Sequence, residues 1–526
     1  MKTYIYSLLL LSGIFFLGGC QNFKELEKNT NSPSSVPASL VLQGVLKDLY
    51  SPTGVEGPWG DVHRWNQFYC INYNYYGNNQ YSWTSTAWNY ATLKNVVKME
   101  EEALAAGAGE VNPYSALGKF FRAYFFIYMT QRVGDIPMTD ALKGLEVTTP
   151  VYDTQKSVYV ESLKLLDEAN SDLAELIAAN NTTLVGDFYY DTDGSANKVE
   201  VLKKWQKLVN TYTLRVLMSL SKKESDADLN IKQKFASIIN NPTQYPVMTS
   251  LEDNLQFTYN ATYNQYPTNP GNFGFDATRQ NMSKLHIDLL KSLKDPRIFI
   301  AAAPAQAKLN AGVKFNDFEA YVGASSGEDL TDMSSKANQG EYSFINRLRY
   351  YSNYTGEPGI IIGYSEMCFN IAEAINRGWI SGDAEEFYVK GIKASMKFYD
   401  ITDEGSITVA DQNKNELGSV TTSVTNYLNQ ITVKYKGNNT DGLTQILTQK
   451  YLSFFQNSGF EAFYNQRRTG IPAFLTGVGT GNSARIPKRW QYPTSEQTTN
   501  EGNLNTALQS QFGGTDDINT AMWLLK

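Results

Sequence analysis

Residues 112–134 read NPYSALGKFFRAYFFIYMTQRVG, and their spacing decides the fold class. Leu117, Phe120, Phe121, Tyr124, Phe125 and Tyr128 recur at i, i+3, i+4, i+7, i+8 and i+11, which places them on one face of a helix. Asn112 suits the N-cap. Pro113 suits the first helical position, where a backbone N–H would have no intrahelical partner, and Gly134 suits the exit. The segment therefore predicts an amphipathic helix whose ring-rich face must be buried against other elements.

The same period recurs on either side. Tyr159, Leu163, Leu166, Leu173 and Leu176 form a second stripe, started by Asp153 or Thr154, and Trp205, Leu208, Val209, Tyr212, Val216 and Leu220 form a third. Asp383 and Glu386 have the spacing of a capping box ahead of Ala384, Tyr388, Ile392, Met396 and Tyr399. A further stripe near 441–457 runs through Leu443, Ile446, Leu447 and Phe454. Helices joined by short turns could stack in pairs, although no clean self-similarity at a period of about 34 residues is found. Between the stripes lie long stretches rich in Asn, Gly, Tyr, Ser and Thr, at roughly 51–86, 180–198, 250–282, 310–360 and 402–440. Loops of this length inside a domain are usually functional or disordered, and the rings in the first favour function.

Residues 1–19 have the form of a secretory leader: one charge at Lys2, an apolar run from Tyr4 to Leu17, then Gly18-Gly19 before Cys20. The run is too short to span a bilayer comfortably, and no later one reaches about 18 apolar residues. Small residues before a cysteine are what a lipoprotein peptidase needs. Cys20 is therefore expected to carry a diacylglycerol and become the new N-terminus; the alternative is a plain cleaved leader with an incidental cysteine. At about 0.8 kcal/mol per buried methylene, the acyl chains would hold the chain on a membrane. Residues 20–35 read as the lipidated cysteine and a polar tether, and 36–526 as a single folded domain, although that length would also accommodate about three average ones.

The formal charge is −7, one unit more negative once the leader with Lys2 is removed, which argues against nucleic acid as a ligand. Beyond Cys20, only Cys70 and Cys368 remain, either as two buried thiols or as a single bridge. Three cysteines and two histidines leave little material for a zinc site. The unusual quantity is the aromatic content, 13% with 34 Tyr, 26 Phe and 8 Trp, more than a core of this size needs in polar segments. A ring offers a flat apolar face and, in Tyr and Trp, a hydrogen-bonding edge, which suits sugar rings and peptide side chains.

The richest tract runs from Trp65 to Trp88, and no helical period explains it. Its candidate ligand contacts are Tyr73, Tyr75, Tyr76, Tyr81 and Trp83, with Asn78 and Asn79 as hydrogen-bonding amides. A second tract holds Tyr259, Tyr263, Tyr266, Phe273 and Phe275, of which Tyr263 and Tyr266 are the candidates. Gly323-Ala324-Ser325-Ser326-Gly327 fits G-x-S-x-G, but a nucleophile elbow needs a strand before it and a helix after it, and here the surroundings are a polar loop. Asp191-Thr192-Asp193-Gly194 with Glu200 resembles part of an EF-hand loop, but Tyr189 stands where the first Asp ligand belongs, so the case for calcium near Asp191 and Asp193 is weak. No catalytic residue, metal ligand or cofactor is otherwise expected.

Taken in order, many segments resemble the SusD/RagB family of nutrient-binding outer-membrane lipoproteins. They include Asn29-Thr30-Asn31-Ser32-Pro33, Arg122-Ala123-Tyr124, Gly134-Asp135-Ile136-Pro137-Met138, Tyr152-Asp153-Thr154-Gln155 and Leu214-Arg215. Later come Asp295-Pro296-Arg297, the stretch Glu366 to Ala374, Arg377-Gly378-Trp379, Gln449-Lys450-Tyr451, Arg467-Arg468-Thr469-Gly470-Ile471-Pro472 and Arg489-Trp490. The resemblance implies a mainly α-helical body with tetratricopeptide-like helix pairs, long ligand-binding loops and little β-structure. It also implies a SusC-like TonB-dependent transporter as partner, lipid anchoring at the outer surface of the outer membrane, and binding without catalysis. The expected ligand is an oligosaccharide in preference to a peptide, because the tract is neutral and rich in amides. A peptide-binding RagB-type protein is the alternative, with an envelope glycan hydrolase or adhesin behind it. The motif residues themselves read as structural: Gly134 and Pro137 fix a helix exit, Arg215 and Glu373 are pairing groups, and Arg467 and Arg468 tie helix ends to carboxylates.

Overall fold

The computed structural model describes residues 35–526 except Ala277. Cys20, the leader and the tether up to residue 34 lie outside the described residues. The longer helices of the first half follow one another: α1 (Ala38–Leu49), α2 (Tyr90–Ala105), α3 (Pro113–Val133), α4 (Gln155–Ala178), α5 (Lys198–Ser219) and α6 (Ile231–Asn240). Each packs on its predecessor, so the amphipathic stripes are buried pairwise. At the start of α3, Asn112 accepts hydrogen bonds from the N–H groups of Tyr114 and Ser115, and Ser115 Oγ accepts the N–H of Asn112 in return. Thr154 caps α4 and Asn197 caps α5 through their own side-chain oxygens.

The second half holds α7 (Tyr364–Asn376), α8 (Ala384–Phe398), α9 (Thr440–Ser453) and α10 (Glu461–Thr469). Helix α7 is the hub, packing on α5, α8 and α9. Asp383 caps α8 through the N–H groups of Glu385 and Glu386. The Glu386 carboxylate turns to Lys390 Nζ at 2.6 Å, so the reciprocal half of the expected capping box is not made. Buried charge ties these helices together. Arg215 of α5 forks onto Glu366 of α7, and Arg468 of α10 forks onto Glu373 of α7 at 2.6 and 2.9 Å, as expected of pairing groups. Arg467 departs from expectation. Its guanidinium donates to the carbonyls of Gln131 (2.7 Å) and Lys488 (3.0 Å) rather than to a carboxylate, because two other segments lie against that turn.

Among the described residues, the long stretches between helices carry short helical turns and three antiparallel strand pairs: β1 (Tyr69–Ile71), β2 (Leu255–Phe257), β3 (Gln280–Met282), β4 (Gly359–Ile362), β5 (Ser406–Ala410) and β6 (Glu416–Thr421), paired β1–β3, β2–β4 and β5–β6. The fold is thus mainly α-helical with a few short strands. Its core lies in two large apolar clusters bridged by Phe257, Phe387, Tyr435 and Phe474. Cys70 and Cys368 are buried free thiols in different clusters, which rules out the single bridge. Among the described residues, no helix is long and apolar enough to cross a membrane.

Candidate functional site

Strand β1 ends at Ile71, and the residues after it form a rigid mount for a projecting turn. The carboxamide of buried Asn79 accepts the N–H of Ile71 at 2.9 Å and donates to its carbonyl at 2.8 Å, standing in for a neighbouring strand. Asn72 donates its backbone N–H to Arg279 O at 3.0 Å and its side chain to Thr278 O at 3.1 Å, tying the base of the turn to the segment before β3. Arg64, paired with Asp61, donates to Asn78 O at 2.9 Å on the far side. Between these anchors Asn74–Tyr76 forms one 3-10 turn, closed by Gly77 at φ 115°. A Cβ at Gly77 would stand 2.8 Å from the Arg64 guanidinium, so both backbone and space require glycine there.

The turn carries Tyr73, Tyr75 and Tyr76. Tyr75 is 81% exposed, Tyr73 is exposed and Tyr76 half-buried. Tyr75 meets Tyr76 edge-on with centroids 5.2 Å apart, and Tyr73 lies 6.2 Å from Tyr76 at 47°. Arg279 sits 4.4 Å over the Tyr73 ring. The exposed amides Asn74 and Asn78 flank the rings; Asn78 Oδ1 accepts the N–H of Gln80 at 2.9 Å, leaving its NH₂ as a donor. Ring faces at steep mutual angles with amides beside them can stack on a flat ligand and bond its hydroxyls.

Four of the expected contacts are corrected. Trp83 is buried, stacked on Trp490 at 3.7 Å and 7° with Phe463 against its edge at 4.7 Å. Tyr81 is buried with its hydroxyl donating to Trp65 O at 2.7 Å, and burial pushes its phenol pKa up. Tyr266 is sandwiched by Tyr259 at 5.0 Å and Tyr350 at 6.3 Å, and Asn79 is spent on β1. None presents a face to solvent. Tyr263 is 88% exposed on an Asx turn built by Asn260, but no ring contact joins it to Tyr73, Tyr75 or Tyr76.

Sequence reading missed a cleft of about 460 Å³ beside the tract. Trp65, Phe460 and Trp490 wall it, and Arg132 crosses it, bonded to Glu56 at 2.7 Å and lying over the rings of Tyr128 (3.9 Å) and Phe460 (4.9 Å). Tyr128 also donates to Glu56. The cleft draws on stretches far apart in the chain, from Asp48 to Trp490. Tyr128 reads as core stripe and Trp490 as a structural motif, so the sequence holds no signal linking them. The Trp65 indole donates to Gln80 O at 3.0 Å, joining this wall to the tract that carries the tyrosine turn.

The discounted motifs lie elsewhere. Ser325 Oγ accepts the N–H of Gly327, and no hydrogen bond joins it to His63 or His286, both buried. Asp191 is paired with Lys198 and accepts the N–H of Ala196 at 2.9 Å, while Asp193 accepts from Ser195. Among the described residues, no three His, Cys, Asp or Glu side chains are gathered as a metal site.

A family model described as SusD-like_2, "Starch-binding associating with outer membrane", matches residues 30–493. Two solved SusD homologues from Bacteroides fragilis NCTC 9343 are similar over nearly the whole chain. One is 33% identical with a TM-score of 0.80, covering 93% of this chain and 100% of its own. The other is 32% identical with a TM-score of 0.75, covering 94% and 100%. A structure described as a chitin-binding protein is 25% identical with a TM-score of 0.66, covering 92% and 99%. No curated protein matches the sequence.

Proposed function

This chain belongs to the SusD-like family, and from that premise we propose that it is a lipid-anchored protein of the outer-membrane surface. In this reading it captures an oligosaccharide and passes it, chemically unchanged, to a SusC-like TonB-dependent transporter. The observation that carries the reading is the exposed Tyr73–Tyr76 turn, held on a mount rigid enough to present its rings in fixed orientation. Preorganised rings lose little freedom on binding, so even weak stacking yields net affinity. Each stacked ring contributes about 0.5–1.5 kcal/mol beyond buried area, and a few of them give the modest affinity that hand-over requires. Cys20, after its small-residue leader, supplies the anchor. The starch-binding description of the family and the chitin-binding relative support a glycan over a peptide.

Native gels cast with starch, a soluble chitin derivative or other polysaccharides test the reading. The protein is expected to be retarded by at least one of them, and the Tyr73→Ala/Tyr75→Ala variant to run unretarded. Migration unchanged in every polysaccharide, with binding to a peptide mixture instead, would make it a peptide binder. Shortening of the retarding polysaccharide would make it a hydrolase.

A further inference from the structure

A groove of about 320 Å³ opens between α4, α5 and α6, lined by none of the residues of the tyrosine turn or the aromatic cleft. One wall is built by amides. Asn210 of α5, 2% exposed, donates both Nδ2 hydrogens, to Asn170 Oδ1 (2.9 Å) and to Pro246 O (2.9 Å), and Asn170 in turn donates to Gln244 O at 3.2 Å. The Oδ1 of Asn210 is left with no donor among the described residues. Beside it, Tyr245 donates its hydroxyl to Asp167 Oδ1 at 3.2 Å, which orients that carboxylate at the rim while its second oxygen stays open. This side of the groove is an acceptor for a cation.

The opposite side is positive. Helix α6 presents Asn230, Gln233, Lys234, Ser237 and Ile238 at i, i+3, i+4, i+7 and i+8, a single face along the groove. Lys234 is half-buried and, among the described residues, paired with no carboxylate. Asn230, at φ 49°, makes no side-chain cap, so the first-turn N–H groups of this ten-residue helix point their partial positive charge at the groove end. Between the two poles the floor is aliphatic, formed by Leu163, Leu166 and Ile238. The helix face from 230 to 238 spans about 12 Å at 1.5 Å per residue, room for one small molecule and not for an extended chain.

We infer that this groove is a second binding site, for a free α-amino acid with an aliphatic side chain. Its carboxylate pairs with Lys234 at the α6 N-terminus, its ammonium meets Asp167 and Asn210 Oδ1, and its side chain lies on Leu163, Leu166 and Ile238. A neutral sugar would leave both poles without a counter-charge and its hydroxyls over an aliphatic floor, a poor match on each count. The site is independent of the tyrosine turn, so a failure of either reading leaves the other standing.

Equilibrium dialysis of the purified protein against radiolabelled L-leucine tests the inference. One equivalent is expected to bind, leucinamide and glucose are expected not to displace it, and Lys234→Gln or Asp167→Asn is expected to weaken it roughly tenfold, the worth of one charge-assisted hydrogen bond. Ser237→Phe, on the exposed face of α6, fills the groove without entering the core and is expected to abolish binding while leaving retention by polysaccharide intact. Absence of bound leucine, displacement by leucinamide or glucose, or retention of full affinity in the Ser237→Phe protein would overturn the assignment.

Discussion

His63 and His286 both contact the ring of Phe68, at 6.1 and 5.3 Å, and both are buried. Burial, joined at His286 by the charge of Arg297, pushes each imidazole down to about 3. In the unfolded chain both titrate near 6.5, so below that pH the unfolded state binds more protons than the folded one. Stability is therefore unaffected by these groups above pH 6.5 and falls as pH drops from there towards 3, by up to about 1.4 kcal/mol per pH unit for each histidine. Denaturant unfolding at a series of pH values should show this slope, and replacing His286 by Phe should reduce it; a profile flat to pH 4 would contradict the assignment. Trp83 is a different case of the same burial. Trp83→Ala removes the partner of Trp490 and should cost about 3–5 kcal/mol in unfolding experiments, where a ligand-contact tryptophan would cost almost none.

The tyrosine turn is an element whose shape depends on two asparagines and one glycine. Asn79 replaces a missing strand, Asn72 fastens the base to the β3 segment, and Gly77 closes the turn in a backbone region that only glycine occupies freely. Gly77→Ala should strain the turn by about 1–3 kcal/mol, relieved locally by releasing residues 72–80 from their anchors. Amide hydrogen exchange over those residues should then accelerate while α3 and α4 remain protected. Unchanged exchange would show that the mount is not set by this residue. The helices were legible in sequence because a 3.6-residue period and a cap are local signals: α3, α4 and α8 begin where Asn112, Thr154 and Asp383 cap them. The turn was legible only as a ring-rich tract without period. Which rings face inward depends on partners far along the chain, as Trp83 on Trp490 and Tyr266 on Tyr350 show, and no local pattern carries that information.

At the scale of the molecule, consecutive helix pairs form a frame through which α7 and its buried ion pairs join the two halves, and the loops are filled by aromatic side chains rather than left open. The aromatic cleft shows the limit of the sequence at this scale, since Glu56, Arg132, Phe460 and Trp490 meet only in the folded chain. The proposed anchor makes a cellular prediction: Cys20→Ser should move the protein from the membrane fraction to the soluble fraction, and retention of the variant on membranes would exclude a lipid attached there. The central claim is that the intact protein grips a glycan reversibly through its exposed tyrosines. Calorimetric titration of the retained oligosaccharide into the wild-type protein and the Tyr73→Ala/Tyr75→Ala variant tests it most directly. One reversible site is expected, weakened about tenfold or more by loss of two stacking rings; equal affinity in the two proteins would contradict it.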